Sequence, residues 1–391
     1  MELELISDVI YTNKLDTVKF AKMLDDPSQC YKFYWMEAVV NLAATSEEDF
    51  TFEQIIDEMI CEAWYSVTQY HLKLGPTIKG NTENFLEHAV KTIQSCSQLS
   101  HGATKEEILL AIRDCNKQIK EDKTNLTNYV PYRLLSSFLD KEGMSLLERR
   151  AYKRLIIYME ELNKRQNIFY TVIDGRGLQK KVHIDSCWRL LLRDNYPVIT
   201  SWIQLNKIRF LQDRNPGVPG IIYKLASEND CIRRLGHARD LWRATVEVCG
   251  KPIYDIYTED NLDIHKFDLD HFVPRSYIAN DELWNLTPMD KNLNSSKNNR
   301  LPSWGDYFEG FSKNLFFLYS CIFSYDEIRT KFEACRKDNL NAIWATETLF
   351  IAGNTDEQFR NILSHNLKPV YETAQLQGYD IWRRGLYTPA T

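Results

Sequence analysis

The sequence predicts a mainly α-helical protein with one small ββα module near its C-terminus. Three observations carry this prediction. Through most of the 391 residues, apolar side chains recur at three- and four-residue spacing, the pattern of amphipathic helices. The stretch 168–185 instead alternates β-branched and aromatic residues around Asp174 and Gly175, as a β-hairpin does. A second stretch, 249–304, breaks into short β-like runs and polar loops before one capped helix.

The N-terminal region consists of successive predicted helices. Their ranges are 32–44, 50–72, 83–94, 104–119 and 145–166. The last range has a start of the capping-box type, because Ser145 is followed three residues later by Glu148. We therefore expect residues 1–166 to form a large helical domain whose many aromatic residues lie mainly in its core.

The rest of the chain is predicted to be helical on both sides of the window 249–304. The predicted helices are 198–215, 228–248, 315–337, 340–350 and 356–377. These ranges give a hairpin with a helical connector at 167–248 and the ββα module at 249–304. Residues 305–391 would then be C-terminal helices that pack on the module or the connector.

Composition limits the class of protein. Apolar residues make up 44% and charged residues 26%, values that are typical of a globular chain, and the net charge is −6. Any nucleic-acid contact must therefore come from local basic patches. Glu2 and Glu4 stand where a signal peptide needs basic residues. The nine cysteines include no Cys-x-x-Cys pair, which favours free thiols in a reducing compartment. We expect a soluble cytoplasmic protein with no membrane partner.

Propensities alone predict the secondary structure of the module. "PIYDIY" (252–257) and "KFDLDHF" (266–272) have strand length and are expected to form a hairpin. Thr287 as N-cap and Pro288 at the first helical position predict a helix over 288–297. The predicted order of elements in the module is therefore strand, strand and helix.

Chemically useful side chains converge on this scaffold. Asp270 and His271 leave a strand as neighbours, while Asn294 and Lys297 are three residues apart and share a helix face. Carboxylate and amide oxygens suit Mg²⁺ or Mn²⁺ better than Zn²⁺. A neutral imidazole can take a proton from water. These groups are the parts that metal-assisted phosphodiester cleavage requires.

The window resembles an HNH (ββα-metal) endonuclease motif, and most closely the HNH domain of the RNA-guided CRISPR nucleases, which has the same Asp-His-x-x-Pro opening. The three signature positions of the family match His271, Asn285 and Asn294. The steps from His271 are 285 − 271 = 14 and 294 − 271 = 23 residues, a spacing associated with that branch. Lys297 and the closing Leu301-Pro302 also fit the pattern, and the resemblance covers residues 250–304.

The resemblance implies roles for these residues. Asp270 and Asn294 would hold one Mg²⁺ or Mn²⁺ ion, and His271 would be the general base that activates water. Asn285 would fix the loop and the orientation of His271. Lys297 is a weaker candidate for binding phosphate. Asn294 stands where colicin-like members have His, which favours Mg²⁺ over a nitrogen-rich transition-metal site.

The charge of the module indicates where nucleic-acid affinity must come from. Residues 246–304 contain ten Asp or Glu against six Lys or Arg, so the module should repel DNA unless basic residues neutralise phosphates. The candidate phosphate contacts besides Lys297 are Arg275 in the module and Arg233, Arg234, Arg239 and Arg243 ahead of it. A cluster of this kind is more often a solvated face than a DNA-binding track.

The leading hypothesis is a Mg²⁺-dependent DNA endonuclease that nicks DNA or, as a homo-oligomer, cuts both strands. Family analogy implies a regulated effector in bacterial restriction or anti-phage defence with an activating or sensor protein partner. Two alternatives remain open. One is an RNase or toxin that uses the same site, and the other is a catalytically degenerate helical adaptor or DNA-binding subunit.

Overall fold

The computed structural model of the protein describes residues 15–46, 48–76, 83–173, 175–225 and 234–385. Most of these residues are helical, which confirms the predicted mainly α-helical class. The chain divides into two compact units. Unit 1 is Met1–Pro216 and unit 2 is Gly217–Thr391.

The described part of unit 1 contains helices and short strands. The helices are α1 Thr17–Ala21, α2 Tyr31–Thr45, α3 Phe52–Thr68, α4 Phe85–Ser97, α5 Lys105–Asp114, α6 Lys120–Thr127, α7 Val130–Arg133, α8 Lys141–Glu148, α9 Tyr152–Gln166, α10 Ser186–Asp194 and α11 Tyr196–Arg214. The strands are β1 Phe50–Thr51, β2 Thr171–Ile173 and β3 Lys181–His183.

The core of unit 1 forms around α2 and α3, which pack against each other. Helix α3 begins at a capping box, in which the Thr51 hydroxyl accepts from the Gln54 backbone N–H and the Gln54 side chain accepts from the Thr51 backbone N–H. Trp35 and Trp64 on these two helices are fully buried, as expected for core aromatic residues.

The predicted hairpin of unit 1 is present. Strands β2 and β3 pair antiparallel with Val172 opposite Val182, and the predicted turn residue Asp174 lies outside the described residues. Strand β1 pairs with the other edge of β3. The prediction that residues 50–72 are all helical was therefore wrong at Phe50 and Thr51, because two residues are too few to show a strand period.

The predicted helix 145–166 is two helices. Arg150 adopts a left-handed backbone with φ 57°, which ends α8 before α9 starts at Tyr152. The carboxylate of Asp140 caps α8 by accepting hydrogen bonds from the Glu142 and Gly143 backbone N–H groups, so Ser145 lies inside that helix. The helix therefore begins after Asp140, which serves as the N-cap in place of the predicted Ser145.

The described part of unit 2 surrounds a small sheet with helices. Its helices are α12 Gly236–Cys249, α13 Arg275–Ile278, α14 Lys291–Lys297, α15 Trp304–Ser324, α16 Asp326–Asn339 and α17 Asp356–Leu376. Its strands are β4 Phe267–His271, β5 Leu286–Asp290, β6 Leu301–Pro302 and β7 Ile381–Trp382. Helix α12 packs along α16. The first residues of the predicted helix 228–248, up to 233, lie outside the described residues.

The pairing of β4 differs from the predicted hairpin. Its antiparallel partner is β5, with Asp270 opposite Thr287 and His271 opposite Leu286. Residues 252–257 form no strand: Tyr254 makes an isolated antiparallel bridge with Asn261, and a turn follows at 256–258. The Asp255 carboxylate accepts a hydrogen bond from the Tyr257 backbone N–H at 2.8 Å. An aspartate that bonds nearby backbone groups competes with strand formation, which explains the wrong prediction.

The helix of the ββα module starts three residues later than predicted. Thr287 and Pro288 belong to β5, and α14 begins at Lys291 with Asp290 as its N-cap. The Asp290 carboxylate accepts from the Asn292 backbone N–H at 2.8 Å, which satisfies the helix start. Proline is tolerated in β5 because a two-stranded sheet leaves one edge of the strand unpaired.

The C-terminal part of unit 2 is helical as predicted, with differences in detail. Tyr325, in extended conformation, separates α15 from α16, and the predicted helix 340–350 is a single π-helical turn at Ala345–Leu349. Strand β7 pairs parallel with β6, which lies at the C-terminal end of the module. In the described ranges no helix is long and apolar enough to cross a membrane.

Candidate active site of the ββα module

The site is built at the end of β4. Successive strand residues point to opposite faces, so Asp268 and Asp270 share one face and His271 points to the other. Asp270 and His271 are 5% and 6% exposed. Asp268 is more exposed and pairs with Arg239 at 3.7 Å. Of the two aspartates, only Asp270 is therefore buried in the interior of the module.

Two internal donors hold the carboxylate of Asp270. The Tyr257 hydroxyl donates to Oδ2 at 2.9 Å, and the Lys297 ammonium donates to Oδ1 at 3.1 Å. Lys297 is fully buried and donates also to the backbone carbonyl of His271 at 2.8 Å. Burial lowers the pKa of Lys297, and the charge of Asp270 opposes that effect. Helix α14 is thus tied to β4 by a buried ion pair.

Asn285 closes the loop between β4 and β5. Its side chain is fully buried, and its Oδ1 accepts from the Val273 backbone N–H while its Nδ2 donates to the Val273 carbonyl, both at 2.8 Å. Its own carbonyl accepts from the Phe272 backbone N–H at 2.8 Å. These bonds fix the chain directly after His271.

The ring of His271 contacts a carboxylate that the sequence did not indicate. The distance from Nε2 to Oδ1 of Asp281 is 3.0 Å, and the two side chains are 8% and 7% exposed. Burial raises the pKa of Asp281, but the hydrogen bond and charge of His271, the Arg234 backbone N–H and the charge of Arg275 outweigh it and bring the pKa to about 2. Asp281 is therefore a carboxylate anion at neutral pH.

Asp270 and Asn294 carry the type of oxygen atom that binds a hard divalent cation. Asn294 lies on α14 one turn before Lys297, is partly exposed, and its side chain makes no hydrogen bond recorded among the described residues. The hydroxyl of Thr287, opposite Asp270 across the sheet, is buried without a partner in the described ranges. The Lys297 ammonium already supplies one positive charge against Asp270.

This donor set suits some metal ions better than others. The described residues contain no group of three or more His, Cys, Asp or Glu side chains that could hold a metal ion. A closed tetrahedral Zn²⁺ site needs such a group, whereas Mg²⁺ commonly uses one or two protein oxygens together with water and substrate phosphate. Asp270 and Asn294 would be the protein ligands.

The arginines predicted to contact phosphate differ in their exposure and in their partners. Arg275, 10% exposed, donates from Nε to Asp281 at 3.2 Å, so it serves the loop. Arg234 lies before α12 and pairs with Asp338 at 3.6 Å, while its side chain is 69% exposed. Arg239 and Arg243 lie one turn apart on α12. Arg243 donates to the Ile264 carbonyl at 3.3 Å. Arg233 lies outside the described residues.

Sequence reasoning missed Tyr257 and Asp281. Tyr257 lies 13 residues before Asp270, and Asp281 lies 10 residues after His271. Both belong to irregular segments where no periodicity indicates which way a side chain points. An Asp in such a loop is usually explained by turn formation, and no spacing signal distinguished Asp281 from the other acidic residues of the window.

Comparison with known proteins agrees with the geometry of the module. Residues 255–303 match the family model described as HNH endonuclease. No curated protein and no solved structure gives a significant match to the chain. The matched range contains β4, β5 and α14 and all the residues that contact Asp270 and His271 through side chains. Near its C-terminus the chain therefore carries an HNH endonuclease domain, which indicates a nuclease acting on nucleic acid.

Proposed function

We propose that the protein is a Mg²⁺-dependent endonuclease that hydrolyses DNA phosphodiester bonds. The observation that carries the proposal is the grouping of Asp270 and His271 at the end of β4 with Asn285 and Asn294 in the range that matches the family. A metal ligand and a general base are then adjacent in the chain. The Asn at position 294 and the Asp-His-x-x-Pro opening support the likeness to the HNH domain of RNA-guided nucleases.

Each residue has a chemical task in this proposal. Asp270 and Asn294 hold the ion, and Mg²⁺ when bound neutralises charge that develops on the phosphate and the leaving oxygen. His271 accepts the proton of the attacking water. Asn285 holds the loop that follows His271, so that the ring stays in place.

Lys297 has a different role from the predicted phosphate contact. Its ammonium is fully buried and donates to Asp270 and the His271 carbonyl. In this position the Lys297 ammonium holds Asp270 and His271 in place and does not extend towards a substrate. Phosphate binding is therefore assigned to basic residues that reach solvent, namely the exposed Arg234 and the half-buried Arg239 and Arg243.

The direct test is cleavage of supercoiled plasmid with Mg²⁺ or Mn²⁺, with EDTA as the blank. The parent should cut, whereas His271→Ala should be slower by about 10²–10⁴-fold, since that is the usual contribution of a general base. Asn294→Ala should also cut more slowly than the parent, because it removes a proposed metal ligand. Asn292→Ala on the same helix and His265→Ala in the same domain are matched controls that should cut like the parent. Equal cleavage by all variants contradicts the assignment.

The substrate class needs a second measurement. Labelled single-stranded DNA and RNA of the same sequence, incubated under the same conditions, separate a DNA endonuclease from an RNase. If the protein cleaves RNA in preference to DNA, and the cleavage of RNA depends on His271, then the substrate is RNA and not DNA. Loss of DNA affinity and of salt dependence is expected when Arg234, Arg239 and Arg243 are changed together to Gln.

The proposal extends to a regulated role in restriction or anti-phage defence, with an activating protein partner or a homo-oligomer. This step rests on family analogy. Bacteria that express the parent should show lower plaque counts after phage infection than bacteria that express His271→Ala. Equal counts across a phage panel would contradict the defence role and leave nuclease activity to the plasmid assay.

A further inference from the structure

We propose that Asp281 is the positioning residue for the base of this site: its carboxylate accepts a hydrogen bond from the Nε2–H group of His271. The proton thereby stays on Nε2, and Nδ1 is the nitrogen that takes a proton from water. The proposal rests on the nuclease function proposed above. Asp281 lies in the loop between β4 and β5, outside the residues that the spacing of the motif singled out.

The chemistry of the contact fixes which nitrogen carries the proton. A carboxylate only accepts hydrogen bonds, so Nε2 of His271, at 3.0 Å from Oδ1 of Asp281, must be the protonated nitrogen. In a neutral ring Nδ1 then carries the free lone pair. Nδ1 forms no hydrogen bond within the described part of the chain, so its lone pair is not taken up by a protein donor there. The ring is thus both oriented and held in one tautomer.

Asp281 is itself held by contacts from three directions. Its Oδ1 accepts also from Arg275 Nε at 3.2 Å, and its Oδ2 accepts from the Arg234 backbone N–H at 3.0 Å. Its backbone carbonyl accepts from Asn339 Nδ2 at 2.7 Å, and Asn339 is fully buried at the end of α16. A carboxylate fixed in this way can fix the imidazole in turn.

The next residue anchors the same loop to the C-terminal helices. Glu282 is buried and accepts from the backbone N–H and the side-chain amide of Asn341, both at 3.0 Å, and from Trp284 Nε1 at 3.0 Å. These bonds hold the loop in place without Asp281. The loop therefore keeps these anchors when Asp281 is replaced, and in Asp281→Asn the amide oxygen can still accept a hydrogen bond from Arg275.

A purely structural role is the alternative to be excluded. In that case Asp281 would only tie the loop to Arg275 and Asn339, and the tautomer of His271 would not depend on it. The variant Asp281→Asn keeps the size of the side chain and removes its charge and its obligatory acceptor character. Asp281→Ala removes the contact altogether.

The experiment reads the tautomer by ¹⁵N NMR of full-length protein labelled at histidine, with the His271 signals assigned from His271→Ala. The parent should show His271 protonated at Nε2, and both Asp281 variants should lose this preference. Asp49→Asn is the matched control, because Asp49 contacts His183 at 2.8 Å in unit 1. It should change the His183 signals and leave those of His271 alone.

Single-turnover plasmid cleavage gives the second readout. Asp281→Asn should lose at least about 10²-fold in rate, as expected for a misoriented base, while its Kd for DNA stays within about twofold of the parent. Protonation of the parent ring at Nδ1, an unchanged tautomer in Asp281→Ala, or parent-like cleavage by Asp281→Asn would each overturn the proposal. A parent that cleaves nothing contradicts the nuclease function, and the NMR result then decides the Asp281 contact by itself.

Discussion

The two units each contain a buried pair of lysine and carboxylate, and one of these pairs lies in the candidate active site. In unit 1, Lys207 Nζ lies 2.5 Å from Glu37 Oε2, with the side chains 1% and 6% exposed. In unit 2, Lys297 Nζ lies 3.1 Å from Asp270 Oδ1, with the side chains 0% and 6% exposed. Burial and charge are thus nearly the same in both places.

The difference lies in the neighbours of each pair. Glu37 also accepts from the side chain of Gln204, and the Lys207 ammonium lies 4.7 Å from the centre of the Tyr34 ring. These neighbours complete a structural network between α2 and α11. Asp270 is instead followed by His271, whose ring Asp281 orients. A buried ion pair is therefore weak evidence for a site until a second reactive group stands beside it.

The largest expected difference concerns removal of the charge from each carboxylate. Asp270→Asn should lower plasmid cleavage at least about 10³-fold, because the metal loses its only charged protein ligand in the proposed site. Glu37→Gln should cleave at the parent rate and lose about 3–5 kcal/mol of unfolding free energy, since Lys207 is left buried without its partner. Cleavage rates and urea unfolding measure both. Retained cleavage by Asp270→Asn would remove this residue from the site.

Replacement of both partners of each pair by apolar residues tests whether the pair contributes to stability, to cleavage or to both. The double variant Glu37→Leu with Lys207→Met should recover most of the stability lost in Glu37→Gln, because well-packed apolar residues commonly match a buried ion pair. Asp270→Leu with Lys297→Met should likewise unfold near the parent midpoint and still not cleave. A double variant in unit 1 that is less stable than Glu37→Gln would show that the pair contributes net stability there.

The motif and the helices were predictable because their signals are local. A span of 28 residues contains all the motif residues, namely Asp270, His271, Asn285, Asn294 and Lys297. The periodicity of long helices such as α3 and α17 likewise extends over several turns of one segment. Lys207 and Glu37 are 170 residues apart, and Asn339 is 58 residues from Asp281, so no sequence window contains either contact. Strand β5 was missed because Thr287-Pro288 also resembles a helix start.

A smaller effect is expected when only the lysine of each pair is removed. In Lys297→Met, Asp270 loses the ammonium that neutralises it, and a divalent cation then supplies the missing positive charge. Millimolar Mn²⁺ should therefore raise the melting temperature more in Lys297→Met than in the parent, by the equivalent of about 1.4 kcal/mol for a tenfold gain in affinity. Lys207→Met is the control, and Mn²⁺ should affect it as it affects the parent. A smaller metal shift in Lys297→Met would indicate that the ammonium helps to build the metal site.

The smallest expected effect concerns the pH dependence of unit 1 around its structural pair. Burial, and next the charge of Glu37, raises the pKa of Glu62 from 4.5 to about 7. Because the folded state binds this proton more tightly than the unfolded chain, the resulting stability is complete below pH 4.5 and is lost as the pH rises through about 7. Glu62→Gln should therefore flatten the decline in unfolding free energy between pH 6 and pH 8.

The size of this effect should be about 1 kcal/mol, because Glu62 is partly exposed and solvent screens its charge. Urea unfolding of the parent, of Glu62→Gln and of Glu106→Gln at both pH values measures it, where Glu106 is an exposed glutamate of the same unit. The control should follow the parent. If Glu62→Gln follows the parent as well, then Glu62 is ionised throughout this range and the Lys207 network neutralises it, so the two buried pairs would differ in electrostatics as well as in their neighbours.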